Sequence, residues 1–115
     1  METKKNLIVE KTVEFSVEII SFCQKLNQQN HFIISKQLLK SATSIGANVF
    51  EAQHAESRSD FIHKMKIAAK EAAETDYWFL LCEKSDIHFY DFKLKDKLNE
   101  IQRILSRIIS SAKTG

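Results

Sequence analysis

The feature that most constrains this chain is an apolar spacing that alternates between four and three residues and recurs in four segments. Such spacing is typical of amphipathic helices that pack side by side, with the side chains of one helix fitting between those of its neighbour. It predicts helices over about 6–27, 36–54, 59–84 and 92–113. The residues of the four stripes are, in chain order, Ile8, Thr12, Phe15, Ile19, Phe22 and Leu26; Leu38, Ala42, Ile45, Val49 and Ala52; Phe61, Met65, Ala68, Ala72, Thr75, Phe79 and Cys82; Leu94, Leu98, Ile101, Leu105, Ile108 and Ala112.

The connections between these segments are short, and the chain contains no proline. Short connections make consecutive helices antiparallel neighbours in a bundle. Ser35, Ser57 and Asp91 stand at the starts of the second, third and fourth segments and are of the residue types that cap helices. A length of 115 residues suits one domain. We therefore predict a single all-α domain over residues 1–115, an up-down-up-down antiparallel four-helix bundle.

Cysteine content and hydropathy bear on the cellular compartment. Cys23 and Cys82 lie within apolar helical patterns, where a free thiol behaves as a small hydrophobic group. A disulfide or metal role is the alternative. Free thiols suit a reducing cytoplasm, no apolar run approaches the ~20 residues of a membrane span, and the charged N-terminal segment does not have the pattern of a signal peptide. We expect a cytoplasmic protein without a membrane partner.

The third segment is apolar on more than its core stripe. A helix with this character is normally buried on more than one side, and exposed apolar patches usually mark partner surfaces. We interpret the segment as the subunit interface of a homo-oligomer. The alternative is that Trp78 and its neighbours pack under the 85–92 loop. The apolar residues outside the stripe are Ile62, Ile67, Ala69, Ala73, Trp78, Leu80 and Leu81.

A row of polar residues lies beside the core stripes of the second and third helices. Carboxylates among apolar groups require partners, because an unpaired buried charge is costly. We predict a polar network that fixes helix register and assembly, with a ligand or interface site as the alternative. The row comprises Ser41, Ser44, Asn48 and Glu51 on the second helix and Lys64, Glu71 and Glu74 on the third, mixed with apolar residues that include Trp78.

Glu51 and His54 have the Glu-x-x-His spacing of di-iron bundles. Such sites need a second copy of the motif and further inward-facing carboxylates, and Glu71-x-x-Glu74 lacks the histidine. The remaining histidines are scattered, and neither a nucleophile–base arrangement nor a glycine-rich phosphate loop is present. We therefore predict no metal, no cofactor and no catalytic residues; a hydrolytic or metal-dependent enzyme is the least favoured hypothesis.

Positive charge is concentrated in the second half of the chain. Residues 58–115 hold eleven of the seventeen Lys and Arg residues, although the net charge is only +2. Repeated around an oligomer, such a face would neutralise phosphates. An ordinary solvated face is the alternative, since acidic residues interrupt the row. The candidate nucleic-acid-binding residues are Lys70 and Lys84 on the third helix and Lys93, Lys97, Arg103 and Arg107 on the fourth.

Two segments resemble a bacterial family of small four-helix-bundle proteins encoded in intervening sequences of 23S ribosomal RNA genes. They are 37–52, QLLKSATSIGANVFEA, and 57–78, in which Ser57, Asp60-Phe61 and AAKEAAETDYW at 68–78 carry the similarity. The resemblance implies a bundle that assembles into a ring, typically a homopentamer. It also implies kinship to the accessory protein of diversity-generating retroelements, a basic barrel that binds nucleic acid and works with a reverse transcriptase.

The resemblance places the family's polar positions on Asn48, Glu51, Glu71 and Glu74, without a defined role. The chain departs from the family at Phe50-Glu51-Ala52, where small residues and glycine are common, and in its mild net charge. We predict a non-enzymatic homo-oligomer that binds RNA or DNA through the basic residues of helices 3 and 4. The alternative is a scaffold or assembly factor that presents its basic face to an acidic protein partner and has no nucleic-acid role.

Overall fold

The computed structural model describes residues 6–114. They form four α-helices, α1 (Leu7–Gln28), α2 (Phe32–Ala52), α3 (Arg58–Lys84) and α4 (Phe92–Thr114). Each helix packs against the next in sequence, and α4 packs back onto α1. The diagonal helices, α1 with α3 and α2 with α4, have no Cα atoms within 8 Å of each other. The predicted up-down-up-down antiparallel bundle is therefore confirmed.

Side-chain caps mark the starts of three helices. The Asn6 side chain accepts the Val9 N–H at 3.4 Å, and the Ser57 hydroxyl accepts the Asp60 N–H at 3.0 Å. The Asp91 carboxylate accepts the Lys93 N–H at 2.9 Å. Each of these bonds satisfies an amide that has no partner inside its own helix. Ser57 and Asp91 thus act as the caps that the sequence predicts.

The start of α2 differs from the prediction. The helix begins at Phe32, one turn before the predicted start at 36, and ends at Ala52. Ser35 is not a cap: it is buried inside the helix, where its hydroxyl donates to the Cys23 carbonyl at 3.2 Å. Serine favours caps because its hydroxyl bonds to nearby backbone, but here that hydroxyl bonds to α1 instead. The extra turn brings Phe32 and Ile33 to the end of the bundle.

The core follows the predicted stripes. Every stripe residue of α1 and α2 is buried, and the Phe15 and Phe79 rings meet edge to face at 6.3 Å in the interior. Phe61, Ile108 and Ala112 are only half-buried, because they lie where α3 begins and α4 ends and fewer neighbouring turns cover them. Burial of these stripes is the main force that holds the four helices together.

Gly46 allows α1 and α2 to approach closely. A Cβ placed on Gly46 would lie 3.3 Å from the Cβ of Thr12 and 3.4 Å from the Ser16 hydroxyl oxygen. The 3.3 Å separation is tighter than ordinary van der Waals contact, so the absence of a side chain at Gly46 favours the close packing of these two helices.

Cys23 and Cys82 are free, buried thiols on α1 and α3. A disulfide needs Cα atoms less than about 7 Å apart, whereas all Cα atoms of α1 and α3 are separated by more than 8 Å. Burial raises the pKa of Cys23 and raises that of Cys82 to about 12. Both cysteines are therefore protonated core residues. This agrees with the interpretation that the sequence favours, in which each free thiol behaves as a small hydrophobic group.

Candidate nucleic-acid interface and the α2–α3 polar row

The polar row between α2 and α3 is organised by one buried bond. The hydroxyls of Ser41 and Thr75 lie 2.9 Å apart, and the Thr75 hydroxyl also contacts the Glu71 carbonyl at 2.8 Å. Both residues are almost fully buried. Because a buried hydroxyl without a partner is costly, this pair favours one register of the two helices over its neighbours.

Lys64 organises the end of the row near the start of α3. Its ammonium nitrogen lies 3.9 Å from a carboxylate oxygen of Glu51 on α2 and 3.6 Å from one of Asp60, a turn away on its own helix. The Lys64 side chain is half-buried, so the two carboxylates compensate its desolvation. Sequence analysis placed Lys64 and Glu51 in the row but did not include Asp60.

The other predicted members of the row bond within their own helices. The Asn48 amide donates to the Ser44 carbonyl at 2.9 Å, and the Trp78 indole N–H donates to the Glu74 carboxylate at 3.1 Å. The Glu71 side chain is half-buried and takes part in no bond or ion pair with residues 6–114. The row is therefore interrupted: one cluster surrounds Lys64, and a second pairs Glu74 with Trp78.

Trp78 lines an apolar groove at the end of the bundle where α2 begins. The groove has a volume of about 820 Å³. Ile33 is 84% exposed and Phe32 58% exposed at its edge, so a broad apolar surface faces solvent there. The groove is lined by Asn30, His31, Phe32, Ile33, Ile34, Trp78, Leu81, Lys84, Ser85, Asp86 and Ile87.

The apolar residues of α3 outside its stripe fall into two groups, half-buried and exposed. Ile62, Ile67 and Ala69 are half-buried because α3 packs against both α2 and α4. Ala73 and Leu80 remain exposed, as does the neighbouring Tyr77. The fully exposed patch on α3 is therefore smaller than the sequence suggests.

The loop before α4 contributes Ser85, Asp86 and Ile87 to the groove that Trp78 lines. Its aromatic rings, Phe89 and Tyr90, contact Phe22 and Phe79, at ring-centre distances of 5.6 to 6.1 Å. The aromatic partner of Trp78 is Tyr77, its neighbour in sequence, at 5.2 Å. Burial raises the pKa of the Tyr90 hydroxyl well above its ordinary range.

Several cations of α4 are engaged by neighbouring helices. Lys97 bonds to Glu18 of α1, and Lys95 bonds to Asp76 of α3. The hydrogen bond from Lys97 to Glu18 raises the pKa of this lysine above its ordinary value. Lys97 is one of the predicted nucleic-acid contacts, and in the structure its ammonium group is paired with Glu18 of the same chain.

Arg103 and Arg107 lie on the outer face of the second half of α4, where both are exposed. Together with Asn99, Gln102 and Ser106 they line an open depression of about 510 Å³. A second shallow surface of about 520 Å³ lies at the start of α3, lined by Arg58, Ser59, Ile62, His63 and Lys66. Sequence analysis did not include Arg58 or Lys66 among the predicted phosphate ligands.

The remaining predicted phosphate ligands are separated along the bundle. Lys84 and Lys93 lie at the end that holds the apolar groove, and Lys84 lines that groove. Lys70 is exposed near the middle of α3. The structure therefore does not bring the six predicted basic residues together into one continuous belt.

Glu51 and His54 are both exposed, and the His54 ring lies 6.1 Å from that of Phe50. Within residues 6–114, no group of three or more His, Cys, Asp or Glu side chains is placed to hold a metal ion. Over the same residues, every helix falls short of the length and apolarity that crossing a bilayer requires.

The fold and these surfaces define the class as a small up-and-down four-helix bundle with a closed core and mixed polar and basic outer faces. The chain belongs to the 23S rRNA-intervening sequence protein family, whose family model matches residues 4–107. This match confirms the resemblance carried by the second and third helices, and extends it over all four.

The chain is also similar to a protein of known structure from Bacteroides thetaiotaomicron, a protein of unknown function from the S23 ribosomal protein family. The two are 42% identical, the similarity covers 89% of this chain and 97% of that one, and the TM-score is 0.85. No curated protein matches the chain.

Proposed function

We propose that this chain is a non-enzymatic, homo-oligomeric bundle protein that binds RNA or another nucleic acid through basic residues of α3 and α4. The observation that carries the proposal is the outer face of α4, where Arg103 and Arg107 are exposed and form no ion pair with any residue from 6 to 114. A guanidinium group presents a planar fork of N–H donors that matches the geometry of a phosphate. Two such groups one helical turn apart can contact neighbouring phosphates.

The nucleic-acid part of the proposal is tested by light-scattering mass after size exclusion, with and without a mixed pool of RNA fragments. We expect an increase in mass at low salt that disappears at high salt, because each neutralised phosphate releases counterions. A mass that RNA leaves unchanged at low salt, or a shift that salt does not affect, would contradict the proposal.

Exposed apolar residues on α1 and α2 support self-association. Val13, Val17 and Ile20 follow the four-three spacing along one side of α1, and Val17 is 61% exposed. Leu39 and Phe50 of the adjoining α2 are also exposed. Surfaces of this kind usually mark contacts with a partner, and we propose a second copy of the chain as that partner. A subunit number of five rests on the family resemblance.

The oligomer is tested by the mass of three proteins. Wild type should exceed the 13.3 kDa of one chain, and Val17→Glu should reduce the mass because it places a charge in an apolar contact. Trp78→Ala distinguishes the α1–α2 surface from the α3 surface that the sequence predicts as the interface. If Trp78→Ala reduces the mass and Val17→Glu does not, the interface lies on α3. A wild type that runs as a monomer would remove the oligomer from the proposal.

A scaffold without a nucleic-acid role is the second candidate, and the apolar groove beside Trp78 favours it. Ile33 and Phe32 expose large side chains there, and a protein partner with apolar residues would cover them. Association with a purified partner that survives nuclease treatment and is lost in Ile33→Asp would support the scaffold. Loss on nuclease treatment would support nucleic-acid binding instead.

Two observations support the non-enzymatic part of the proposal. The thiols of Cys23 and Cys82 are buried with raised pKa values, so they are poor nucleophiles near neutral pH. The buried hydroxyls of Ser41 and Thr75 are bonded to each other and to backbone carbonyls. We also propose a cytoplasmic location, because free thiols persist in a reducing compartment.

A further inference from the structure

Charge is divided unevenly along the α3–α4 hairpin. Residues 61–70 and 101–114 contain six Lys or Arg residues and no Asp or Glu; we call these two segments the acid-free end. Residues 71–100 contain four Lys and eight Asp or Glu residues; we call this region the mixed end. The six cations of the acid-free end are Lys64, Lys66, Lys70, Arg103, Arg107 and Lys113.

The fold brings the two acid-free segments together. The bond between Asp76 and Lys95 places these residues level on antiparallel helices. Six residues towards the start of α3 lead from Asp76 to Lys70, and six towards the end of α4 lead from Lys95 to Ile101. From this level as far as Phe61 on α3 and Thr114 on α4, neither helix carries a carboxylate, so both present basic residues along the same stretch of the hairpin, over roughly 15 Å at about 1.5 Å per residue. Beyond this stretch, Asp60 in the first turn of α3 is paired with Lys64.

Most cations of the acid-free end are available to a ligand. Lys64 is engaged by Glu51 and Asp60. The others are exposed and form no ion pair with the described part of the chain. The first carboxylate beyond the acid-free end on α4, Glu100, lies 3.2 Å from Lys11 and is itself neutralised.

The acid-free end also lacks the groups that hold single strands. Proteins that bind single-stranded nucleic acid stack its bases on exposed aromatic side chains. Residues 61–70 and 101–114 contain two aromatic rings, those of Phe61 and His63. Phe61 packs against the core, and the imidazole of His63 is exposed. Neutral donors adjoin the arginines instead, on Asn99, Gln102 and Ser106. Such a set suits backbone contacts, by which proteins recognise duplexes largely through shape and phosphate position.

We infer that the acid-free end is a binding site for the phosphate backbone of a nucleic-acid duplex. The inference rests on the proposed function and narrows it: Lys66, Lys70, Arg103 and Arg107 contact the ligand, whereas Lys84, Lys93 and Lys97 of the mixed end do not. It also narrows the ligand class from nucleic acid in general to double-stranded RNA or DNA.

The test measures binding of the full chain to three fluorescent probes by anisotropy: a duplex RNA of about 20 base pairs, one of its single strands, and a duplex DNA of the same length, each between about 50 and 200 mM salt. The key variant is Arg103→Gln/Arg107→Gln, and the matched control, Lys84→Gln/Lys93→Gln, also removes two exposed cations. Thermal melting of both variants checks that they are folded.

We expect duplex to bind more tightly than single strand. Loss of two phosphate contacts should lower the salt slope by about 2 and weaken binding roughly 30-fold at about 0.15 M salt. The control should match wild type.

Equal losses in both variants would overturn the acid-free end as the site, and single strand binding as tightly as duplex would overturn the ligand class; both leave the proposed function in place. Absence of binding to all three probes would remove the proposed function as well. The relative affinities of the duplex RNA and duplex DNA probes show which of the two duplexes the site prefers.

Discussion

At the mixed end of the α3–α4 hairpin, Lys95 lies against Asp76 and Lys97 against Glu18, whereas Arg103 and Arg107 at the acid-free end extend from α4 without such partners among residues 6–114. The two ends belong to the same two helices, and the acid-free end carries six cations and the mixed end four. They differ in the carboxylates that packing brings beside them. Positive charge that is balanced within the chain stabilises the bundle, and positive charge that is not balanced remains available to a ligand.

The comparison shows why a count of basic residues is a poor guide to a binding surface. Net charge is only +2, yet eight of the fifteen Asp and Glu residues lie in the mixed end and none lies in residues 61–70 or 101–114. A phosphate backbone experiences the local arrangement, because screening limits electrostatic interactions to about 8 Å at physiological salt. The following predictions test whether the two ends differ in this way.

The largest effect should come from reversing charge at each end in turn. Arg103→Glu/Arg107→Glu removes two phosphate contacts and adds two repulsive ones, so duplex RNA affinity should fall by on the order of 100-fold or more. Lys84→Glu/Lys93→Glu should change affinity by less than about threefold, since these residues lie outside the proposed contact. Anisotropy titrations at fixed salt measure both. Comparable losses of duplex RNA affinity in the two variants would show that the acid-free end and the mixed end contribute equally to binding.

Alkaline stability should depend on the mixed end, which contains Cys82. Its pKa is raised from 9.0 to about 12, so the thiol of the unfolded chain ionises first as pH rises. Stability is therefore fully present below pH 9 and decreases between pH 9 and 12, by up to about 1.4 kcal/mol per pH unit for one group. Cys82→Ala should make this decrease shallower in urea unfolding.

A matched control for the alkaline experiment lies at the acid-free end. Ile108→Ala removes core volume without removing a titrating group, so it should lower stability at every pH and leave the slope unchanged. An identical slope in wild type and Cys82→Ala would show that this thiol does not contribute. Cys23 and Tyr90, whose pKa values are also raised by burial, should account for the slope that remains.

A single carboxylate introduced at the acid-free end should sharpen the comparison. Ser106 lies beside Arg103 and Arg107, and Ser106→Glu should weaken duplex binding about 10-fold by neutralising one of them. Ser85→Glu, which adds the same charge at the opposite end, should leave affinity unchanged. If Ser106→Glu binds like wild type, the outer face of α4 is not the contact surface.

The smallest effect concerns stability without ligand. Lys97→Met breaks the bond to Glu18 and should cost about 0.5 kcal/mol, since the pair is partly exposed to solvent. Arg103→Met should change stability by less than about 0.3 kcal/mol, because no carboxylate contacts it. Urea denaturation of both variants at neutral pH measures the difference. A larger loss for Arg103→Met would indicate that this arginine has a structural partner.

The helical core was predictable because its signal is local. A spacing of four and three residues brings Ile8, Phe15 and Leu26 onto one side of α1 whatever their partners are, and the same holds for the other stripes. The caps Ser57 and Asp91 were predictable for a similar reason, since each bonds to amides within three residues. Ser35 has the same chemistry but bonds to α1, and the start of α2 was therefore misplaced.

The candidate site was less predictable because its members interact across the sequence. Glu51 and Lys64 are close enough in the α2–α3 hairpin for their pairing to be anticipated. By contrast, Lys97 and Glu18 are separated by 79 residues, and nothing local marks them as partners. The Asn48 amide and the Glu74 carboxylate each bond within their own helix, so no continuous network forms among residues 6–114.

By itself, the sequence determined four helices, their antiparallel order and the residues of their core, because periodicity and short connections act between residues that are near in the chain. The distribution of carboxylates along α3 and α4 is likewise written in the sequence. Only the tertiary structure decided which cations are balanced and which remain free. Pairing depends on the register and rotation of neighbouring helices, and these are set by contacts such as that of Ser41 with Thr75, between residues distant in the chain.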